Sequence, residues 1–391
     1  GYQSMYNNTS GYFNSAFGAR TLLANTTGDL NVAMGSRALS VNTTGSSNVA
    51  IGNNSIHCFQ TGDYNTAIGK SSLLGQGSEC GDGAGSTYST GSYNTALGAE
   101  SLNNITTASN NVGVGYQALY SNTTEDNLTA VGYQALYSTT ARDDGGSGPR
   151  ALTAIGYQAL YSNTNGTSNN ASGFQALYSN TTGDKNTATG AYALYSNTTA
   201  DYNTAMGNHA LYTNTTGEYN AALGDRALQS NTTGDHNNAF GYFALKDNTT
   251  GGNNTAMGAH ALMDNTTGDY NSAFGKRSLY NNTTGSDNTA IGRTTLFKNT
   301  TGENNTALGR SALYDNITGS SNIAIGAFSL GNSTTANNNT AIGYEAGYTN
   351  TTGASNVFIG FQAGYSETGS NTLYIANGTS NSNRLIYGNF S

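Results

Sequence analysis

Apolar residues come in two short clusters that alternate down the whole chain. One is Ala-Leu, as at Ala210 and Leu211; the other is Ala, a larger apolar residue and Gly, as at Ala222, Leu223 and Gly224. Between them stand mainly Asn, Thr, Gly and isolated polar residues. The Gly that closes the second cluster falls at Gly1, Gly18, Gly35, Gly52, Gly69, Gly98, Gly115, Gly132, Gly156 and Gly173, then every 17 residues to Gly360. Only two intervals exceed 17, Gly69 to Gly98 and Gly132 to Gly156. A fixed period of this length predicts a solenoid, in which each unit buries its apolar side only by stacking on its neighbours.

With that Gly as slot 1, a unit reads G-x-x-A-L-x-x-N-T-T-G-x-x-N-T-A-apolar. Such a unit is too short for a helix pair or a propeller blade and suits two strands of about five residues with two turns. "NTAMG" (Asn203 to Gly207) is predicted as one strand and "NHALYT" (Asn208 to Thr213) as the other. "NTTG" between them is turn chemistry, because Asn and Gly tolerate positive φ. The fold class is therefore all-β: a parallel β-solenoid, or β-roll, of about twenty 17-residue coils. At about 4.8 Å per coil the rod is roughly 100 Å long. The array is expected over residues 1–365, with insertions near 74–92 and 141–150, and 366–391 as a closing β segment.

The slots acquire jobs. Slot 14 is Asn in most coils, from Asn14, Asn31 and Asn48 onward to Asn356, and stacked Asn side chains predict an amide ladder along the axis. Leu at slot 5 and the large apolar residue at slot 17 are expected to fill a narrow lumen. Slots 4 and 16, mostly Ala, would then point the other way, since neighbouring strand side chains face opposite sides. That second close-packed face predicts another chain, with a solvated face on which small Ala is merely tolerated as the alternative. Both insertions fall at the "NTTG" corner and none at slots 1–3, which predicts solvent at the first corner and a partner at the second.

Composition removes several function classes. Charged residues are 9% of the chain and the net charge is −8, so no basic stripe for nucleic acid is present. No apolar run approaches the length of a membrane span, so no membrane insertion is expected. Gly1 already occupies slot 1, so the chain reads as a piece of a longer protein and the lack of a signal peptide carries no information.

"NTAIGYEAGY" (Asn339 to Tyr348) and "GYQALYSNTTE" (Gly115 to Glu125) carry a resemblance. The first is similar to the "SVAIGxxAxA" repeats of YadA-like heads of trimeric autotransporter adhesins. The second resembles "GYQALYSNTTG" arrays of phage tail-fibre-like and bacterial surface proteins. The resemblance covers nearly the whole chain, with a unit of 17 residues where the YadA-like repeat is shorter. It implies a left-handed parallel β-roll, three chains packed around an axis, and a place outside the cell, on a cell surface or in a virion fibre. "NTLYIANGTSNSNRLIYGNFS" resembles the closing segment of such arrays.

No enzyme constellation or cofactor site emerges. His57, His209, His236 and His260 sit at different positions along the repeat. Asp143 and Asp144 beside two glycines have calcium-loop composition, but the Gly-Asp nonapeptide of calcium-binding rolls is absent, so no metal is expected. The "NTT" corner has two readings. Its Asn begins a turn, or it is an N-glycosylation acceptor at Asn25, Asn42, Asn180, Asn197, Asn214, Asn231, Asn248, Asn265, Asn282 and Asn299. Cys58 at slot 7 and Cys80 in the next coil's insertion share a corner, so parallel stacking makes them disulfide candidates, with two free thiols as the alternative. The second insertion concentrates charge at Arg142, Asp143, Asp144 and Arg150 and is a candidate recognition loop, with a tolerated insertion at a permissive corner as the alternative. The expected function is an extracellular structural and adhesive fibre, a homotrimer whose repeated corners engage a receptor or surface glycan by avidity. An ice-binding solenoid is the alternative, weakened by the lack of an evident T-x-T strand face.

Overall fold

The computed structural model describes residues 1–76, 80, 88–140, 150–379 and 384–389. The chain forms two compact units, Gly1–Asp201 and Tyr202–Ser391. Both are all-β among the described residues, and both are built from the same coil.

The first unit runs from β1 (Ser15–Phe17) to β10 (Thr187–Thr189) through β4 (Thr66–Ile68), β5 (Thr95–Leu97), β7 (Thr129–Val131) and β8 (Thr153–Ile155). Each strand pairs parallel with the next in unbroken register, Ser15 opposite Val32 and Ala16 opposite Ala33, for example. The register survives both insertions: Thr66 faces Thr95 and Thr129 faces Thr153. The second unit runs from β11 (Thr204–Met206) to β20 (Val357–Ile359) in the same way. It ends with β21 (Thr372–Ala376), parallel to β20, and β22 (Arg384–Asn389), which folds back antiparallel to β21 and pairs with its free edge.

Each coil holds one strand of three residues, slots 15–17. The expected strand over Asn208–Thr213 is instead a run of turns. Within it His209 has φ +53° and Leu211 +51°, and the same two slots are left-handed in coil after coil. Two five-residue strands would each extend about 17 Å. Curling slots 2–7 through left-handed conformers closes the loop within 17 residues while keeping the peptide groups paired along the axis. Leu211 N–H donates to Ala227 O at 3.0 Å in the following coil, and Arg226 N–H to Asn208 O at 2.9 Å in the preceding one. At slot 1 the backbones approach so closely that only Gly fits. A Cβ on Gly292 (φ +136°) would lie 2.7 Å from Gly309 O.

The lumen differs from the expected one. Leu at slot 5 is buried, but its opposite wall is Ala of slot 16, with Ala222 and Ala256 fully buried within a single chain. The large residue of slot 17 points outward: Met206 is 45% and Leu308 43% exposed. The alternation along the strand is as expected and its parity is inverted. A lumen one Leu wide has room for a methyl on the facing strand and no more. Where Gly113 replaces the slot 16 Ala, an added Cβ would sit 3.2 Å from Leu102 Cγ. Ala at slots 4 and 16 therefore packs against its own coil and not against a partner.

Asn closes both corners. The slot 14 ladder is present: Asn237 N–H donates to Asn220 Oδ1 at 2.9 Å, and Asn220 Nδ2 to Gly234 O at 2.8 Å. Slot 8 forms a second ladder inside the turn. Asn231 Nδ2 donates to Asn214 Oδ1 at 2.8 Å in the coil before and to Gly234 O at 2.9 Å in its own. Both rows are fully buried in most coils. Two polar ladders stay inside the lumen because most of their amides find partners one coil away, which offsets the desolvation cost of a bare amide. The exceptions include Asn42, Asn316 and Asn350, whose buried Oδ1 atoms lack a partner among the described residues.

Candidate interaction surfaces

With slots 4, 5, 8, 14 and 16 turned inward, recognition falls to what remains outside. Slots 15 and 17 form the outer face of the parallel sheet. In the second unit this face carries a row of Met206, Leu223, Phe240, Met257, Phe274, Ile291, Leu308, Ile325, Ile342 and Ile359. Beside it runs a row rich in Thr, including Thr255, Thr289, Thr306 and Thr340. Its motif is T-x-apolar, so an outward Thr row does exist. Six of these ten side chains are 37–45% exposed and the other four, Leu223, Phe240, Phe274 and Ile325, are half-buried, so the row makes one contiguous patch rather than scattered singles.

Slots 2, 3 and 6 form a second face, made largely of aromatic rings. In the first unit Tyr120, Tyr137, Tyr161, Tyr178 and Tyr195 stack at 5.1–5.2 Å between centroids. A parallel stack joins Tyr116, Tyr133, Tyr157 and Phe174. A chain of Gln amides runs at slot 3: Gln117 Nε2 donates to Glu100 Oε2 at 2.8 Å, and Gln134 Nε2 to Gln117 Oε1 at 2.8 Å. The rings cover one another's faces and leave edges and hydroxyls to solvent. Stacking adds roughly 0.5–1.5 kcal/mol per pair beyond burial. These ladders were missed in the sequence, although the recurrence of Tyr in "GYQALYS" was their signal.

In the second unit Tyr280, Phe297 and Tyr314 stack at 5.2 Å, and Tyr348 and Tyr365 at 5.4 Å. Gly331 interrupts the row between them and opens a cleft of about 280 Å³. Exposed Lys276, Arg293 and Arg310 stand at slot 2 of three successive coils, with Arg277 beside Lys276.

The sequence-derived sites sort differently. All ten Asn of the candidate glycosylation set (Asn25, Asn42, Asn180, Asn197, Asn214, Asn231, Asn248, Asn265, Asn282 and Asn299) are fully buried. Their Nδ2 atoms are engaged in the inner ladder, as at Asn265 to Asn248 Oδ1, 2.7 Å. A glycan on any of them has no room in the folded coil, so the geometry supports the turn reading. Cys58 and Cys80 are joined by a disulfide, with Cα atoms 5.6 Å apart. Arg142, Asp143 and Asp144 lie outside the described residues. Arg150 departs from the recognition role: its side chain is fully buried, 3.3 Å from Glu125 Oε2 and donating through Nη1 to Thr164 O at 2.7 Å. It bridges the coils on either side at the corner where Thr139 and Leu152 replace both ladder Asn residues.

His57 is buried beside Ser40, whose hydroxyl meets its Nδ1. Burial, and then the Arg37 charge, push its pKa below the ordinary imidazole value of 6.5. Among the described residues no group of three or more His, Cys, Asp or Glu side chains is placed to hold a metal, and no helix is long and apolar enough to cross a membrane. Compared with protein-family models and with curated proteins, the chain matches none.

Proposed function

We propose that this chain is a structural and adhesive fibre protein without catalytic activity, working outside the cell and assembling with copies of itself as a homotrimer through the sheet face of slots 15 and 17. The observation that carries this reading is the continuous outward apolar row. Chains presenting it would bury it against one another, at about 25 cal/mol per Å² of apolar area. The backbone pairing and amide ladders from coil to coil support the rigid scaffold such a fibre needs. The Cys58–Cys80 bridge supports an oxidising location. Sedimentation of the full chain tests the assembly. The wild type is expected to sediment as a trimer. Ile291→Lys with Leu308→Lys is expected to sediment as a monomer with an unchanged circular dichroism spectrum, since neither side chain enters the lumen. A wild-type monomer at micromolar concentration would refute the reading.

The outward Thr row favours ice binding as a second reading. Against it, Ile323 interrupts the Thr row, and the neighbouring slot 17 alternates Met257 with Phe274, so the face lacks one uniform spacing of like groups. Thermal hysteresis in the wild type, abolished by Thr306→Lys, would put ice in place of a second chain.

A further inference from the structure

The second unit departs from its own repeat on the face of slots 2, 3, 6 and 7, and the departures cluster. Gly331 removes one ring from the slot 6 stack. The backbones of Tyr314 and Tyr348 are two coils apart, roughly 9.6 Å along the axis, and the Tyr348 ring leans toward Gly331, where an added Cβ would meet its Cε2 at 2.9 Å. The cleft between them has Phe328 on one side and Asp315 and Asn332 on its rim. At 280 Å³ it lies just below the roughly 300–1,000 Å³ of drug-sized pockets, so it admits one ring rather than a folded chain.

Next to the cleft stands the positive row. Arg310 lies over the Phe328 ring at 4.7 Å and so ties the row to the cleft wall. Lys276, Arg277, Arg293 and Arg310 are exposed and make no ion pair among the described residues. They are four of 14 Lys and Arg in a chain that carries 22 acidic residues. Like charges on successive coils repel one another, so the stack gains nothing from them. An external anion repeating along the axis does gain.

We propose that this face binds an acidic polysaccharide, one sugar ring seated in the cleft lined by Tyr314, Phe328 and Tyr348 and the carboxylates of neighbouring sugars lying along Lys276, Arg293 and Arg310. Each part of the site matches one part of that ligand. Aromatic walls take the C–H faces of a pyranose. Lys298 holds Asp315 Oδ1 at 2.7 Å, and the second carboxylate oxygen accepts a hydroxyl proton, which a sugar supplies and a phosphate backbone does not. Asn332 offers both a donor and an acceptor at the same rim. The cations supply attraction that weakens with salt. This assignment rests on the adhesive reading and names its ligand class. It leaves the sheet face of slots 15 and 17 free for other chains.

The test uses the full chain and labelled polygalacturonate, with neutral dextran and inorganic polyphosphate as comparisons, at low and at physiological ionic strength. Polygalacturonate is expected to bind more tightly than either comparison. Gly331→Tyr returns the ring that neighbouring coils carry and fills the cleft. Its Cβ would lie 2.9 Å from Tyr348 Cε2, so the Tyr348 ring must swing aside. The variant is expected to weaken binding about tenfold while leaving sedimentation unchanged. Arg293→Gln with Arg310→Gln is expected to weaken binding and flatten its salt dependence. The proposal is overturned if Gly331→Tyr binds polygalacturonate as the wild type does. It is equally overturned if dextran or polyphosphate binds as tightly as polygalacturonate, since the ring alone or the charge alone would then suffice. Cleft-dependent binding by a chain that sediments as a monomer would remove the assembly reading and leave this one standing.

Discussion

In the last coils of the array the lumen exchanges one pair of residues for another, and the exchange can be reversed. Phe358 occupies slot 16, where neighbouring coils have Ala, and it is fully buried. On either side of it slot 5 is Gly347 and Gly364 in place of Leu, at φ +64° and +62°. A Cβ on Gly347 would lie 2.5 Å from Phe358 Cδ2, and one on Gly364 2.5 Å from Phe358 Cε1. The ring therefore fills the space of two Leu side chains. Phe358→Ala empties it and should cost about 3–5 kcal/mol. Gly347→Leu alone collides with the ring and should cost about 1–3 kcal/mol or more. Phe358→Ala with Gly347→Leu and Gly364→Leu restores the ordinary Ala–Leu lumen and should lie within about 1–2 kcal/mol of wild type, a large favourable coupling. A solenoid opens locally, so the measurement is hydrogen exchange at amides such as Gly360 and Ala363, supported by chemical denaturation. If the triple variant is no more protected than Phe358→Ala, slots 5 and 16 do not face each other and the lumen assignment is wrong.

Arg150→Ala should destabilise the corner around Glu125 by about 3–5 kcal/mol, because it removes a fully buried guanidinium that holds the Glu125 carboxylate and the Thr164 carbonyl. Adding Glu125→Gly, the ordinary slot 11 residue, should recover most of that loss in denaturant titrations. Stability should also depend on pH through His57. Its folded pKa lies below 6.5, so the unfolded chain takes up the proton first. The His57 contribution is full above about pH 6.5 and declines as pH falls, by at most about 1.4 kcal/mol per unit. His209 and His260 are shifted the same way, so melting curves from about pH 8 to about pH 5 should show His57→Gln removing part of the slope.

Some of this was legible in the sequence and some was not, for reasons that sit in particular residues. The 17-residue period, the slot 14 ladder and the strand at "NTAMG" follow directly from identical residues recurring at fixed distance. Register brings the Cys58 and Cys80 corners together, which makes a bridge possible, and the structure decides for it over two free thiols. The parity of the strand does not follow. With Ala at slot 16 beside Leu or Met at slot 17, size argues for the larger residue inside, and only the width of the lumen reverses that choice. The second strand failed because "NHALYT" has strand composition, while its left-handed residues are imposed by closure of the coil. Slot 8 Asn was read as a turn residue because its pairing partner lies one coil away, beyond any local pattern. Charge alone places Arg150 at the surface, because its partners Glu125 and Thr164 lie in two other coils.

That closure makes a last prediction whose sign runs against ordinary core chemistry. Slot 5 is left-handed in every coil described, and at Ile56 a β-branched residue holds φ +47°. Left-handed backbone costs an L-residue about 1–2 kcal/mol, and β-branching makes the conformation a true outlier. The conformer persists because Ile56 is fully buried and its N–H donates to Ser72 O at 3.1 Å in the next coil. Leu39 and Leu73 occupy the same slot directly before and after it at φ +50° and +49°, so the lumen accepts Leu there without rearrangement. An Ile→Leu exchange in a packed core ordinarily loses stability, by up to about 1.5 kcal/mol. Here Ile56→Leu should gain about 1 kcal/mol, because it removes branching at the one position where branching is most costly. Hydrogen exchange at Ile56, Cys58 and Leu73 reads the change locally, with the disulfide intact in both proteins. Slower exchange in the variant supports closure-imposed backbone strain. Faster exchange would mean that the left-handed conformer carries no penalty here, and that slot 5 is governed by side-chain packing alone.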